Sequence, residues 1–459
     1  VPLSRLPVFA LVAPLLLARP ALGFCGFYVA KADAQIYNHA SQVVIARDGE
    51  RTILTISNDF KGPLTEFAEV VPVPSVLHKD QVHIGDRKLI ERIDAYSAPR
   101  LVEYFDRDPC ERLVEHRRMA MKAMAASAPA GAARDELASS LGVKIEAEYT
   151  VGEYDIVILS AKQSTGLEQY LRAEGYQIPA KAAAALEPYI KQAMKFFVAK
   201  VNLTEQAKSG YTYLRPLQIA FESQKFMLPI RLGMANAEGF QDLTIYTLTR
   251  KGRVESTNYR TVELPSGMDV PIFVKDEFKD FYRSLFDKAY DKEDRKAVFT
   301  EYAWDGGGCD PCADPPLSAE ELRGLGVFWM DDPQQPQPAP YYRGRRGGFR
   351  GGSGAPLVTR LHVRYDASDF PEDLMFQETG NRANYQARYV LRHTWRGDAD
   401  CDAARDYRRG LRERHEKEAE ALARLTGWDL SEIVGKMGDD APDRAESPDG
   451  DSWYKRLWK

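Results

Sequence analysis

Gln42-Val43-Val44-Ile45-Ala46-Arg47-Asp48-Gly49-Glu50-Arg51-Thr52-Ile53-Leu54-Thr55-Ile56-Ser57 reads as two strands rich in β-branched residues, folded back on each other at Asp48-Gly49 and closed by Asn58-Asp59. The hairpin makes the first sheet antiparallel, and the pattern recurs along the chain. Val143, Ile145, Ala147, Tyr149 and Val151 alternate strictly, and after Gly152 the apolar positions resume at Tyr154, Ile156 and Ile158. Further strand-like runs are Leu217 to Leu232, Leu243 to Val254, Tyr259 to Leu264, Leu357 to Val363 and Tyr389 to His393. Phe67 to Val73 is apolar but runs into Pro72-Val73-Pro74, which confines it to a sheet edge or places the prolines at a strand end.

Helical patterns lie between these groups of strands. Pro99 to Ala126 reads as a helix that restarts at Cys110 after Asp108-Pro109. Thr165-Gly166-Leu167-Glu168 is a capping box for a short helix that stops at Gly175. A longer helix follows Pro179, with Pro188 interrupting it, and Asp276 to Lys296 and Asp402 to Arg424 are helical as well. Helices grouped between strands, and not alternating with them one for one, predict an α+β fold of mainly antiparallel sheets with interspersed helices.

The chain has 459 residues and a formal charge of -5, with 44% hydrophobic residues, enough for one large core or two modest ones. This charge argues against a nucleic-acid or anionic-membrane binder. Leu3 to Ala18 is an apolar run behind Arg5 and closes on Ala21-Leu22-Gly23, the pattern of a secretory signal peptide over residues 1–23. The mature chain is then expected in the periplasm or secreted. An uncleaved anchor is disfavoured by Pro7 and Pro14, and lipidation at Cys25 by the bulky Phe24 before it. No later apolar run approaches the roughly 20 residues of a membrane span.

The remaining chain divides into an N-terminal α+β region (24–126), a central α+β region (134–332), a Pro/Gly/Arg-rich insert (333–356), C-terminal strands with a charged helix (357–437) and an acidic tail (438–459). The insert and the tail carry too little apolar surface to offset the entropy of ordering and are expected to be disordered. The run from Arg343 to Gly352 resembles RNA-binding arginine-glycine segments, but in an exported protein an anionic envelope polymer is the better partner.

Cys309-Asp310-Pro311-Cys312 is the one compact chemical motif. Two cysteines at this spacing form a structural disulfide, a redox pair or half of a metal site. Asp310 and the following Pro315-Pro316 oppose the helix N-terminus and lowered thiol pKa that a redox pair needs, so the staple is preferred. Cys25, Cys110 and Cys401 are further disulfide candidates, and spacing does not select their pairing. His78 and His83 fall in a loop and an edge strand and read as solvated histidines, not ligands. Nucleophile-elbow, Walker and dinucleotide signatures are missing, so no catalytic, metal or cofactor-binding residue is assigned. The acid pairs Asp276-Glu277 and Glu372-Asp373 read as surface carboxylates. Phe67, Tyr104, Phe196, Phe197, Phe281 and Trp304 read as core before pocket lining.

Several of these stretches together resemble the bacterial domain-of-unknown-function family DUF2330. The resemblance is carried by Phe24-Cys25-Gly26-Phe27-Tyr28-Val29 with Lys31-Ala32-Asp33-Ala34, by Asn38-His39-Ala40-Ser41-Gln42-Val43 and by Phe67-Ala68-Glu69-Val70-Val71-Pro72-Val73-Pro74. It continues in Glu301-Tyr302-Ala303-Trp304, Cys309 to Cys312 and Phe376-Gln377-Glu378-Thr379. It implies an exported bacterial protein and brings no catalytic residues. The first expectation is therefore a non-catalytic binding or scaffold protein with an unidentified envelope partner. The alternative is an exported thiol-disulfide oxidoreductase or metal-dependent hydrolase.

Overall fold

A computed structural model describes residues 27–31, 37–61, 67–110, 143–177, 182–209, 211, 213–235, 239–308, 315–331 and 354–442. The opening hairpin joins strands Tyr37–Asp48 and Arg51–Lys61, with Val43 opposite Ile56 and Ile45 opposite Leu54. Its turn needs Gly49, whose φ is +62°, a conformation costly for a side chain with a Cβ. Alternation then splits the strand between two cores. Val43 and Ile45 enter one, while Val44 and Ala46 enter another on the opposite face.

This hairpin lies inside a nine-stranded sheet. The path runs Arg260–Glu263, Ala297–Asp305, Leu357–Tyr365, Gln241–Thr249, Tyr37–Asp48, Arg51–Lys61, Leu217–Glu222 and Val82–Ile84, with Tyr385–Gln386 also on Ala297–Asp305. Two of its pairings are parallel, Gln241–Thr249 with Tyr37–Asp48 and Arg260–Glu263 with Ala297–Asp305. A second sheet, antiparallel throughout, has the order Val143–Val151, Tyr154–Ala161, Lys195–Val201, Phe67–Val73, Phe27–Lys31 and Tyr176–Gln177. The large sheet draws strands from the N-terminal, central and C-terminal regions alike, residues 24–126, 134–332 and 357–437.

The two sheets share a core in which Val43, Ile45, Leu54 and Ile56 meet Val71, Val73, Ile156, Ile158 and Phe197. Helices cover the outer faces. Ser164–Ala173 and Ala182–Lys191 pack Leu167, Leu171, Leu186 and Tyr189 over Val157, Leu159, Phe196 and Val198 of the second sheet. Arg87–Ser97 and Phe278–Lys292 lie on the outer face of the nine-stranded sheet. The long Asp402–Thr426 helix packs on Phe278–Lys292 and ends on Gly427 at φ +79°. The result is the α+β class expected from the spacing of strands and helices.

Two local readings change and one open choice is settled. The segment after Pro99 is a strand, Arg100–Phe105, paired in parallel with Arg388–His393, and the helix comes before it at Arg87–Ser97. Asp86 caps that helix by accepting from the Lys88 amide at 2.9 Å. Pro99 stops the helix where it had been read as starting one, because the residue before a proline is driven to extended backbone and Ala98 has ψ 147°. The Ser164–Ala173 helix starts behind Gln163, not on the Thr165 capping box. Phe67–Val73 is bonded on both sides, to Phe27–Lys31 and Lys195–Val201, so it is not an edge, and Pro72 falls at its end, the second placement the sequence offered.

Phe196, Phe197 and Phe281 are core residues, Trp304 is half-buried and Tyr104 is 45% exposed. Residues 111–142 and residues 333–353 of the insert lie outside the described residues, as do residues 1–26. Gly438–Asp440, at the start of the acidic tail, forms a 3-10 turn in which Asp439 accepts from Arg396 at 2.9 Å.

Candidate functional site

Three cationic residues alternate along the Leu357–Tyr365 strand: Arg360, His362 and Arg364. A strand's period of two places them on one face, while Leu361, Val363 and Tyr365 on the other face are fully buried. The strand lies inside the sheet, so this face must receive counter-ions from its neighbours. Each neighbour supplies one. Glu301 comes from Ala297–Asp305, Asp242 from Gln241–Thr249, Asp94 from the Arg87–Ser97 helix and Asp287 from the Phe278–Lys292 helix.

Glu301 sits at the centre and is 1% exposed. Its Oε1 faces His362 Nδ1 at 2.8 Å and accepts from the Tyr282 hydroxyl, and its Oε2 accepts from Arg360 Nε. His362 Nε2 reaches Asp242 Oδ1 at 3.2 Å, and the His362 ring stacks on Phe286 with centroids 3.9 Å apart. Arg364 donates to both oxygens of Asp242, at 2.8 and 3.1 Å, and also to Asp287. Arg360 Nη1 donates to Asp94 Oδ1 at 2.6 Å. That same oxygen accepts from Tyr246, whose hydroxyl accepts from Gln42 Nε2 at 3.0 Å.

The electrostatics follow from this wiring. Burial opposes ionisation of Glu301, but Arg360 and then His362 outweigh it and hold the carboxyl down at about 2. Asp242 is likewise lowered to about 2, burial being overcome by His362 and then Arg364. Burial would lower His362, yet the charges of Glu301 and Asp242 raise it to about 9. Burial, and then Glu301, drive the Tyr282 hydroxyl well above its usual range.

Chemically, the arrangement is closed. A general base needs a free lone pair within reach of substrate, but both ring nitrogens of His362 face carboxylates and both oxygens of Glu301 are taken by protein donors. What it does is clamp two helices to one sheet face through charge-assisted bonds. Its pH dependence has a definite sign. Glu301 and Asp242 bind protons less tightly folded than unfolded, so their contribution is present above the ordinary values of 4.5 and 3.8 and is lost as pH falls toward 2. His362 behaves oppositely, its contribution being present below 6.5 and lost as pH rises to about 9. Thermal melts across pH should therefore show decline on both sides, and His362→Gln should remove the part of the alkaline decline between about pH 8 and pH 9. An unchanged alkaline limb in that variant would show that the imidazolium is not what the network stabilises.

Of the residues singled out in the sequence, Cys25, Cys309 and Cys312 lie outside the described residues. Cys110 and Cys401 form a disulfide, with Cα atoms 6.2 Å apart across a sequence separation of 291. His78 and His83 are both exposed, on a 3-10 turn and on the outermost strand of the nine-stranded sheet. Among the described residues no cluster of three or more His, Cys, Asp or Glu could hold a metal. Glu277 is bonded to Lys436, as expected of a surface acid, whereas Asp373 is buried and accepts from Tyr189 and from the Ile230 and Arg231 amides. None of the described helices is long and apolar enough to cross a membrane.

Sequence reasoning missed the ionic network, although a signal existed. Arg360, His362 and Arg364 occupy alternate positions of the Leu357–Tyr365 strand, a pattern that also fits a half-solvated strand and becomes a demand for counter-ions once the fold covers that face. Glu301 opens the Glu301-Tyr302-Ala303-Trp304 stretch, and Gln42 lies in Asn38 to Val43. Both stretches carry the family resemblance, and comparison with known families matches residues 19–377 to DUF2330, described as an uncharacterized protein conserved in bacteria. The chain belongs to the DUF2330 family. No curated protein matches it significantly, and no solved structure does. The whole ionic network lies inside the DUF2330 region, while Cys401 and the Asp402–Thr426 helix lie beyond it.

Proposed function

We propose that this DUF2330 protein works outside the cytosol, in the bacterial envelope, as a binding or scaffold protein that turns over no substrate. The observation that carries the reading is the Cys110–Cys401 disulfide, a staple of a kind that persists in oxidising compartments and is rare in the cytosol. The apolar stretch from Leu3 to Ala18, ending in small residues, points the same way.

Binding is favoured over turnover because the strongest cluster of titratable groups is committed to itself. A groove of about 260 Å³ between the sheets offers a partner somewhere apolar to enter. Leu54, Pro72, Met194 and Phe221 line it, with Gln192 and Lys225 at the rim. It is smaller than the several hundred Å³ usual for small-molecule sites, and suits one or two side chains of a partner.

The test is fractionation of cells that make the full chain. Osmotic shock should release the protein with an N-terminus near Phe24, and the released protein should sediment with washed envelope fragments. It should not accelerate reduction of insulin by dithiothreitol. Retention in the cytosol would contradict the reading, and so would insulin reduction that is lost in Cys309→Ser.

A further inference from the structure

Where the C-terminal helices meet the body, one carboxyl group is in an unusual position. Glu418, on the Asp402–Thr426 helix, is 4% exposed, and its Oε1 has no hydrogen-bond partner among the described residues. It borders a cavity of about 20 Å³ with Phe273, Arg392, His415, Met437 and Asp440. That volume holds about one water.

The charges around Glu418 do not compensate an anion well. On its own helix, Arg414 Nε lies 3.5 Å away without a hydrogen bond, and Arg414 Nη1 is already given to Asp106. His415, one turn away on the same helix, is held by burial below its usual range and so tends to be neutral. Arg392 faces it from the Arg388–His393 strand but is paired with Asp269 at 2.7 Å. Asp440 approaches from the 3-10 turn after the last helix. A buried carboxylate whose nearest cation, Arg414, is shared with Asp106, and which has Asp269 and Asp440 close by, is more stable as the neutral acid.

We propose that Glu418 is a proton-binding latch: protonated, it seats the Asp402–Thr426 and Leu430–Lys436 helices on the body, and loss of its proton to solvent loosens them. Burial, reinforced by Asp269 and Asp440 and only partly offset by Arg414, raises this carboxyl to about 8, so the release falls in a biologically accessible range. An acid whose folded value is raised contributes stability below its unfolded value, here 4.5, and loses it as pH climbs to about 8. The His415 contribution has the opposite sign and is complete by its ordinary value of 6.5, and His362, which also titrates between 6.5 and about 9, sits in the sheet network and is unchanged in Glu418→Gln, so the difference between the two proteins above pH 7 reads Glu418.

The experiment is amide hydrogen exchange of the full oxidised chain, reading residues 402–436 with protection corrected for intrinsic rates. From pH 7 to pH 8 the wild-type protection should fall about fivefold, and in Glu418→Gln it should stay constant within about twofold. A flat wild-type profile would overturn the proposal without recourse to any variant. An equal fall in Glu418→Gln would overturn it too, by assigning the titration to another group.

Discussion

Glu301→Ala is expected to cost about 3–5 kcal/mol in urea or thermal unfolding, the largest effect of any single side chain in the sheet. The reason is what remains behind. Without Glu301, Arg360 keeps Asp94 as its counter-ion, His362 keeps Asp242, and Tyr282 loses its carboxylate acceptor, all between the sheet and the helices that cover it. An uncompensated buried charge is worse than none, so replacing Glu301 and Arg360 together should cost less than the sum of the two single changes. The surface pair Arg51 and Glu222, each side chain 70% exposed, is the natural control, and its removal should leave stability nearly unchanged. A Glu301→Ala protein as stable as wild type would mean that the network is not a clamp.

Cys401→Ser should destabilise by roughly 2–5 kcal/mol, because the bridge to Cys110 closes a very long loop and so removes much of the freedom of the unfolded chain. The loss should appear first in the C-terminal helices. Cys401 stands at the N-terminus of Asp402–Thr426, and that helix is otherwise held by Ala419, Leu422 and Leu425 against the aromatic core around Phe281 and Phe286. Limited trypsin digestion of the variant should therefore cut first among Arg405, Arg408 and Arg409. Dithiothreitol should lower the melting temperature of wild type to that of the variant and leave the variant unmoved. An equal shift in both proteins would assign the effect to other cysteines.

Much of the strand content was legible because alternation is a local signal. Val43 to Ser57 and Val143 to Ile158 announce their strands and turns without reference to the rest of the chain. What failed was punctuation. Pro99 and Leu101, Tyr104 and Phe105 fit a helix start by spacing, but the same proline ends the preceding helix, and Val102 is buried because a strand nearly three hundred residues later pairs with it. Pairing across such distances leaves no local trace. The parallel contact of Gln241–Thr249 with Tyr37–Asp48 is a second instance.

The candidate site was invisible for a related reason. Searches for catalytic spacing look for residues close in sequence, whereas Asp94, Asp242, Glu301 and His362 come from four separate elements. The legible half was the cationic half. Arg360, His362 and Arg364 on one face of an interior strand require anions, and only the fold says which carboxylates answer. The Cys110–Cys401 pair was likewise present as a possibility, and spatial proximity selects it among the pairings that counting left open.

The most direct measurement is non-reducing peptide mapping of the protein from cells whose free thiols are trapped by alkylation before lysis. The account predicts a peptide linking Cys110 to Cys401, recovered from the periplasmic fraction. Recovery of both cysteines alkylated, on protein from the cytosol, would contradict it.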